Sequence, residues 1–173
     1  FLQKNRIPLE SVMAKSWNKK IFKQIDEQVN KASKNLAEER GACPDAAEYG
    51  FQERFSNKTA IAPTASISII CGGASPGVEP IAANSYTHKT LSGSFNVRNR
   101  YLEEILESHG KNDDETWSTI TTNQGSVSHL DFLTDLEKDV FKTAFELNQK
   151  WIIELSGDRT PFISQAQSVN LFL

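Results

Sequence analysis

The chain has 173 residues, of which 38% are hydrophobic and 24% charged, and its formal net charge is -3. This mixture is typical of one globular domain, and the lack of excess Lys and Arg argues against nucleic acid or an anionic membrane as a partner. The apolar runs are far shorter than the roughly 20 residues that a membrane helix needs, so we expect a soluble, cytoplasmic protein.

Cys43 and Cys71 lie far apart in the sequence without a C-x-x-C spacing. This argues against a disulfide framework and a thiolate metal site, and it favours a reducing compartment. The chain begins at Phe1 rather than Met and stops inside an apolar run over 170–173. We therefore expect both ends to be cuts in a longer chain.

A long amphipathic helix is predicted over residues 11–40, because apolar residues recur there at spacings of three and four. We expect Gly41 to end the helix and Pro44 to prevent its continuation. The apolar stripe is expected to face the core and consists of Met13, Trp17, Ile21, Ile25, Val29, Ala32 and Leu36.

A strand, a turn and a short helix are predicted over residues 57–71. The β-prone segment 57–62 runs into Pro63 and Thr64, after which small residues precede an apolar run. Gly72 and Gly73 are expected to end the short helix, and turn chemistry follows over residues 75–80.

Extended chain interrupted at Gly93 is predicted over residues 84–97, and helices follow between residues 100 and 160. The first of these helices covers residues 101–108, and the second begins near Asp113 or Asp114 and ends at Gly125.

Thr134 and Glu137 match a capping box, which predicts the start of a long helix. An apolar stripe with two flanking phenylalanines follows this start, and the helical pattern then resumes and runs through Leu155. The stripe consists of Leu136, Val140, Ala144 and Leu147, with Phe141 and Phe145 beside it. The segment 167–173 is predicted to be a final strand.

The strongest candidate binding site lies where the short helix begins. A helix N-terminus leaves backbone N–H groups without acceptors and carries partial positive charge, so it can bind a phosphate group. Small side chains would let an anion approach the backbone, and hydroxyls would donate further hydrogen bonds. The alternative is that Thr64 is an ordinary cap of its own helix. The candidate residues are Pro63, Thr64, Ala65, Ser66, Ile67 and Ser68.

We expect structural roles for the histidines, the acidic runs and Cys71. The three histidines lie in separate segments without metal-ligand spacing, so no metal site is expected. The acidic runs 38–39 and 113–115 are read as solvated charge. Cys71 has no evident base nearby to activate it as a nucleophile, so we expect a buried thiol. The histidines are His88, His109 and His129.

Four blocks in this order resemble the large subunit of class I ribonucleoside-diphosphate reductases, and the likeness covers nearly the whole chain. They are Ala60-Ile61-Ala62-Pro63-Thr64-Ala65-Ser66, Gly77-Val78-Glu79-Pro80, Tyr86-Thr87-His88-Lys89-Thr90-Leu91-Ser92-Gly93 and Gln165-Ala166-Gln167-Ser168-Val169-Asn170-Leu171. Cobalamin-dependent reductases have a similar Ala-Pro-Thr loop, and the block from Tyr86 to Gly93 favours class I.

The resemblance implies an α/β fold: a helix-rich fragment of a ten-stranded α/β barrel, with residues 1–173 forming one partial barrel domain. It also implies that the loop 63–68 binds the phosphates of a ribonucleoside diphosphate substrate. In that family the radical and reducing cysteines lie before the matching segment, and the tyrosines of the radical path lie after it. No catalytic residue is therefore expected in this chain.

The implied parent enzyme reduces ribonucleoside diphosphates to 2'-deoxyribonucleoside diphosphates by radical chemistry for DNA synthesis. Its implied partners are a small subunit with a metal-dependent radical, the rest of the large subunit, and thioredoxin or glutaredoxin. ATP and deoxynucleoside triphosphates are implied as effectors, and no cofactor is expected within this segment. The rival hypothesis is a non-catalytic helical interaction module, which the two long amphipathic stripes favour.

Overall fold

The computed structural model describes residues 1–72, 74–90 and 93–173, with the backbone alone at 88–90. Helices dominate these ranges. In chain order the α-helices are α1 (Val12–Arg40), α2 (Pro44–Glu48), α3 (Ala65–Ile70), α4 (Arg100–Ser108), α5 (Asp114–Thr122), α6 (Asp135–Val140) and α7 (Gln149–Arg159). Short 3-10 helices cover Gln3–Asn5 and Thr160–Phe162.

The predicted long helix is present as α1, and Ser11 caps it by accepting a hydrogen bond from the amide of Ala14. The expectation that its whole apolar stripe is buried is wrong, because Met13, Trp17 and Ile25 are exposed. The residues of α1 that are buried are Ala14, Ser33 and Ala37. Small side chains on this face let α1 approach its neighbours closely.

The predicted extended chain over 84–97 is an antiparallel hairpin of β1 (Ser85–Thr90) and β2 (Gly93–Arg98). Tyr86 lies opposite Val97 in this register. The expected interruption at Gly93 coincides with the start of β2, while residues 91 and 92 lie outside the described ranges, as does Gly73.

The main hydrophobic core is formed by α4, α5, α6 and the loop between α5 and α6. Trp117 and Phe141 are its largest fully buried side chains. The other core members are Leu102, Ile105, Leu106, Ile120, Val127, Leu130, Leu133 and Val140.

The long helix predicted after Thr134 is interrupted. The capping box is formed as predicted, but α6 ends at Val140 and α7 begins only at Gln149. The chain leaves the helix because the amide of Ala144 donates to the carbonyl oxygen of Ile81, 2.8 Å away. Leu136 of the predicted stripe is exposed, and so is Phe145, which flanks the stripe.

The strands predicted over 57–62 and 167–173 are also wrong. Among the described residues they reduce to one parallel bridge between Ile61 and Gln167. Pro63 has no N–H to continue a ladder. In the segment 167–173, backbone amides donate to side chains instead of to a neighbouring strand. The amide of Asn170 donates to Glu79 and that of Phe172 to Gln149, each at 2.9 Å.

Within the described ranges, no helix combines the length and the apolarity needed to cross a lipid bilayer.

Candidate functional site

The candidate loop begins where the parallel bridge ends. The amide of Ile61 donates to the carbonyl oxygen of Ala166 at 3.2 Å, and the amide of Ser168 donates to that of Ile61 at 2.8 Å. Pro63 follows two residues later, and its missing N–H stops the pairing. The chain is therefore fixed immediately before it turns into α3.

Thr64 turns the chain with a left-handed backbone, at φ 53° and ψ 30°. A β-branched residue rarely adopts positive φ, and such a conformation costs on the order of 1–3 kcal/mol. Surrounding contacts must stabilise it. The strained residue is the second of the six predicted binding residues, and strain of this kind commonly accompanies function.

The Thr64 side chain does not cap its own helix, so the ordinary-cap interpretation is wrong. Its Oγ1 instead accepts a hydrogen bond of 2.6 Å from the amide of Gly77. Because that bond uses an acceptor position, the hydroxyl proton of Thr64 stays free to donate.

Three consecutive backbone amides at the start of α3 have no acceptor among the described residues. The first amide of this helix with an intrahelical partner is that of Ser68, which donates to the carbonyl oxygen of Thr64 at 2.9 Å. Among the described residues, no acceptor bonds the amides of Ala65, Ser66 and Ile67. This is the arrangement that an anion can occupy.

The two serines of the loop differ in availability. Ser66 is exposed, and the described part of the chain offers its hydroxyl no partner. Ser68 is buried, and its hydroxyl donates to the carbonyl oxygen of Ala65 at 2.8 Å. Ser66 and Thr64 therefore have a hydroxyl proton available for a ligand, whereas that of Ser68 is already used.

The apolar side of α3 is uncovered in this chain. Ile67, Ile69 and Ile70 are exposed, with 84% of Ile70 accessible. Cys71, which follows α3, is exposed, so the prediction of a buried thiol at this position is wrong. Cys43 is partly buried at the start of α2.

The remaining candidates have structural partners. His109 lies 3.2 Å from Glu137, and His129 lies 3.0 Å from Thr119. The side chain of His88 lies outside the described part. Asp113 caps α5, and the hydrogen bond from the amide of Thr116 lowers the pKa of its carboxyl group. Within the described ranges, no three metal-ligating side chains lie together.

Three of the four blocks that carry the resemblance meet at this loop. Block 60–66 pairs with block 165–171, and block 77–80 contacts both through Gly77 and Glu79. The described residues of the fourth block, 86–90 and 93, lie in the hairpin. Sequence reasoning named none of these contacts. The only signal for them was that residues far apart in the chain belonged to one family pattern.

Comparison with known proteins explains this convergence. A family model described as "Ribonucleotide reductase, barrel domain" matches residues 45–173. The chain belongs to the ribonucleotide reductase family. The match covers the loop 63–68 and both segments that hold it, so all of them are parts of a ribonucleotide reductase barrel domain.

Curated relatives support the same family and the large subunit within it. The ribonucleoside-diphosphate reductase large subunit of Invertebrate iridescent virus 6 is 46% identical over all of this chain and 18% of its own length. That of Invertebrate iridescent virus 3 is 43% identical over 99% of the chain and 28% of its own length. A ribonucleoside-diphosphate reductase large chain of Saccharomyces cerevisiae is 32% identical over 97% of this chain and 23% of its own length.

A solved structure confirms the fold class. The class Id ribonucleotide reductase alpha subunit of Actinobacillus ureae superposes with a TM-score of 0.90 and 39% identity, over 99% of this chain and 31% of that one. The expected helix-rich fragment of the reductase α/β barrel is thus confirmed. The chain spans less than a third of the length of each of these relatives.

Proposed function

We propose that this chain is part of a large subunit that reduces ribonucleoside diphosphates to 2'-deoxyribonucleoside diphosphates, and that residues 63–68 bind the substrate phosphates. One observation carries the second statement: a strained Thr64 in a reductase barrel is followed by three adjacent amides that have no acceptor within the described ranges. Membership of the family carries the first statement.

The phosphate contacts follow from the available donors. Phosphate oxygens would accept from the amides of Ala65, Ser66 and Ile67, and from the hydroxyls of Thr64 and Ser66. Each hydrogen bond to a charged group contributes about 1.5–3 kcal/mol. Because Ala65 and Ser66 have small side chains, the phosphate can reach the backbone directly.

The reduction itself would depend on residues outside this chain. Cys43 and Cys71 fall in none of the four matching blocks, so neither receives a catalytic role. The radical would come from a small subunit with a metal-dependent radical, and electrons from thioredoxin or glutaredoxin. ATP and deoxynucleoside triphosphates would act as effectors elsewhere in the large subunit. We accordingly expect the 173-residue chain alone to be inactive.

The loop is tested by measuring nucleoside diphosphate binding to the full-length large subunit. Ser66→Ala removes one hydroxyl donor and should raise the Kd about tenfold, the equivalent of about 1.4 kcal/mol. Ala65→Asp should weaken binding further, because it adds a negative charge where the phosphate approaches.

Ser118→Ala is the matched control, since Ser118 is an exposed helical serine of α5. Its Kd should equal that of the unmodified protein. If Ser66→Ala and Ala65→Asp also bind the diphosphate normally, residues 63–68 are an ordinary helix start and the proposal is wrong.

A further inference from the structure

The segment 165–170 contacts the chain on both sides of the loop. Before the loop, Ala166 and Ser168 pair with Ile61. After the loop, the carboxylate of Glu79 accepts two hydrogen bonds of 2.9 Å from Asn170, one from its backbone amide and one from Nδ2. The stretch between Ile61 and Glu79 is therefore held at both ends by one short segment.

That segment is itself fixed to the end of α7. Oε1 of Gln167 accepts from Nε of Arg159 at 2.7 Å, and its Nε2 donates to Thr160 at 2.7 Å and to the carbonyl oxygen of Ser156 at 3.1 Å. Arg159 is only 3% exposed, and burial lowers the pKa of its guanidinium. The segment is thus also held by contacts outside the loop.

A short path connects this segment to the Thr64 hydroxyl. The amide of Glu79 donates to the carbonyl oxygen of Pro76 at 3.3 Å and closes a turn that contains Gly77. Gly77 has a φ of 57°, which glycine adopts without strain, and its amide donates to Thr64. Glu79, whose carboxylate binds Asn170, and Gly77, whose amide binds Thr64, therefore lie two residues apart in one turn.

We propose that Glu79 and Asn170 are positioning residues for the phosphate loop. They hold Gly77 so that its amide occupies an acceptor position of Thr64 Oγ1 and directs the Thr64 proton towards the bound phosphate. This inference rests on the proposed phosphate binding and adds residues that touch no substrate themselves.

The exposure of the pair separates this role from a general contribution to folding. Asn170 is exposed and Glu79 is half-buried, so removing either partner leaves the other accessible to water. No buried polar group loses its partner, and the effect on stability should be small. What changes is the orientation of the Thr64 hydroxyl.

The test uses the full-length large subunit with its small subunit and reductant. Glu79→Ala should raise the KM for the nucleoside diphosphate about fivefold, and Asn170→Ala should raise it less, because the backbone amide of residue 170 still donates to Glu79. Both variants should leave kcat within about twofold, because the phosphate contact is made equally before and during the reaction. The double variant should have no larger KM than Glu79→Ala alone, since Glu79→Ala already removes both hydrogen bonds to Asn170, of which Asn170→Ala removes only the one from Nδ2.

Asn30→Ala is the control, because in the described part of the chain the Asn30 side chain donates to Asp26 alone, within α1. It should change neither constant. Glu79→Gln covers the case in which an alanine variant fails to fold, since the amide keeps the shape and one acceptor oxygen. Its KM should rise less than that of Glu79→Ala, with kcat again unchanged.

Ser66→Ala, measured alongside, separates the two proposals. If Ser66→Ala raises KM while Asn170→Ala and Glu79→Ala do not, the positioning role is refuted and phosphate binding stands. If Ser66→Ala has no effect either, the proposed function fails and the positioning role fails with it. Fully additive KM effects, or a loss of kcat at unchanged KM in Glu79→Gln, would likewise overturn the positioning role.

Discussion

Asn84→Asp should strongly destabilise the fold while changing few atoms. Asn84 is 1% exposed and lies at the start of the hairpin. Its Nδ2 donates to the carbonyl oxygens of Gly125 at 2.9 Å and Phe141 at 2.7 Å. Its Oδ1 accepts from Nδ2 of Asn99 at 2.8 Å. Every polar atom of this buried amide therefore has a partner.

The substitution replaces a double donor with an acceptor oxygen that faces two carbonyl oxygens. Two hydrogen bonds are lost, each with a net value of about 1 kcal/mol, and two carbonyl groups lose this donor. A buried carboxylate without a cation adds its own desolvation cost. Together these effects should lower the free energy of unfolding by about 3–5 kcal/mol at neutral pH.

The loss should depend on pH in a defined direction. Burial raises the folded-state pKa of the new carboxyl group above its unfolded value of about 3.9. Below that value both states are protonated and the charge penalty is absent. As pH rises from about 3.9 through the raised folded-state pKa, the unfolded state releases its proton first, so stability falls.

Urea denaturation of the 173-residue chain, followed by far-ultraviolet circular dichroism at pH 4 and pH 7, measures both effects. Asn96→Asp is the control, because Asn96 is exposed and its Oδ1 accepts from Thr87 in the hairpin. An Asn84→Asp variant that is no less stable than this control, with the same difference at both pH values, would refute the reasoning.

Two further predictions concern the same helical core. Gly125→Ala should lower the free energy of unfolding by about 2–4 kcal/mol, because the new Cβ would lie 2.7 Å from Cα of Ala83 and 2.8 Å from the amide nitrogen of Asn84. A thermal midpoint equal to that of the unmodified chain would contradict this prediction. Asp113 should contribute stability above its unfolded pKa of about 3.9 and lose it as pH falls through its lowered folded-state pKa. A carboxyl titration by NMR should give that lowered pKa, and Asp113→Ala should remove this part of the pH dependence.

Elements whose determinants are local could be predicted from the sequence. The long helix over residues 11–40 and the capping box of Thr134 and Glu137 were both predicted, and both are present, with Ser11 capping α1. Each cap needs only contacts within one helical turn. The hairpin and the helix caps at Asn99 and Asp113 depend on similarly short-range contacts.

Elements decided by distant partners could not be predicted. The break after Val140 depends on a hydrogen bond from Ala144 to Ile81, which the apolar periodicity cannot reveal. The segment 167–173 has the composition of a strand, but side chains of Glu79 and Gln149 bind its amides in place of a ladder. Periodicity describes a preference, and the long-range partner decides the outcome.

The candidate loop illustrates the same limit at the proposed binding site. Its hydroxyls and small residues, together with the family resemblance, sufficed to name residues 63–68. The left-handed conformation of Thr64 was not predictable, because a β-branched residue disfavours it. The conformation depends on Gly77, 13 residues away, which bonds the Thr64 hydroxyl.

A binding loop of this kind must take its geometry from elsewhere in the chain. A helix of six residues is not stable on its own, so α3 cannot fix the direction of its own amides. The proposed phosphate donors are mainly backbone groups, which every residue except proline provides. What the sequence must specify is therefore the support: the bridge between Ile61 and Gln167, and the contact of Glu79 with Asn170, which lies 91 residues further along the chain. Substrate affinity should accordingly respond to changes in side chains that never touch the substrate.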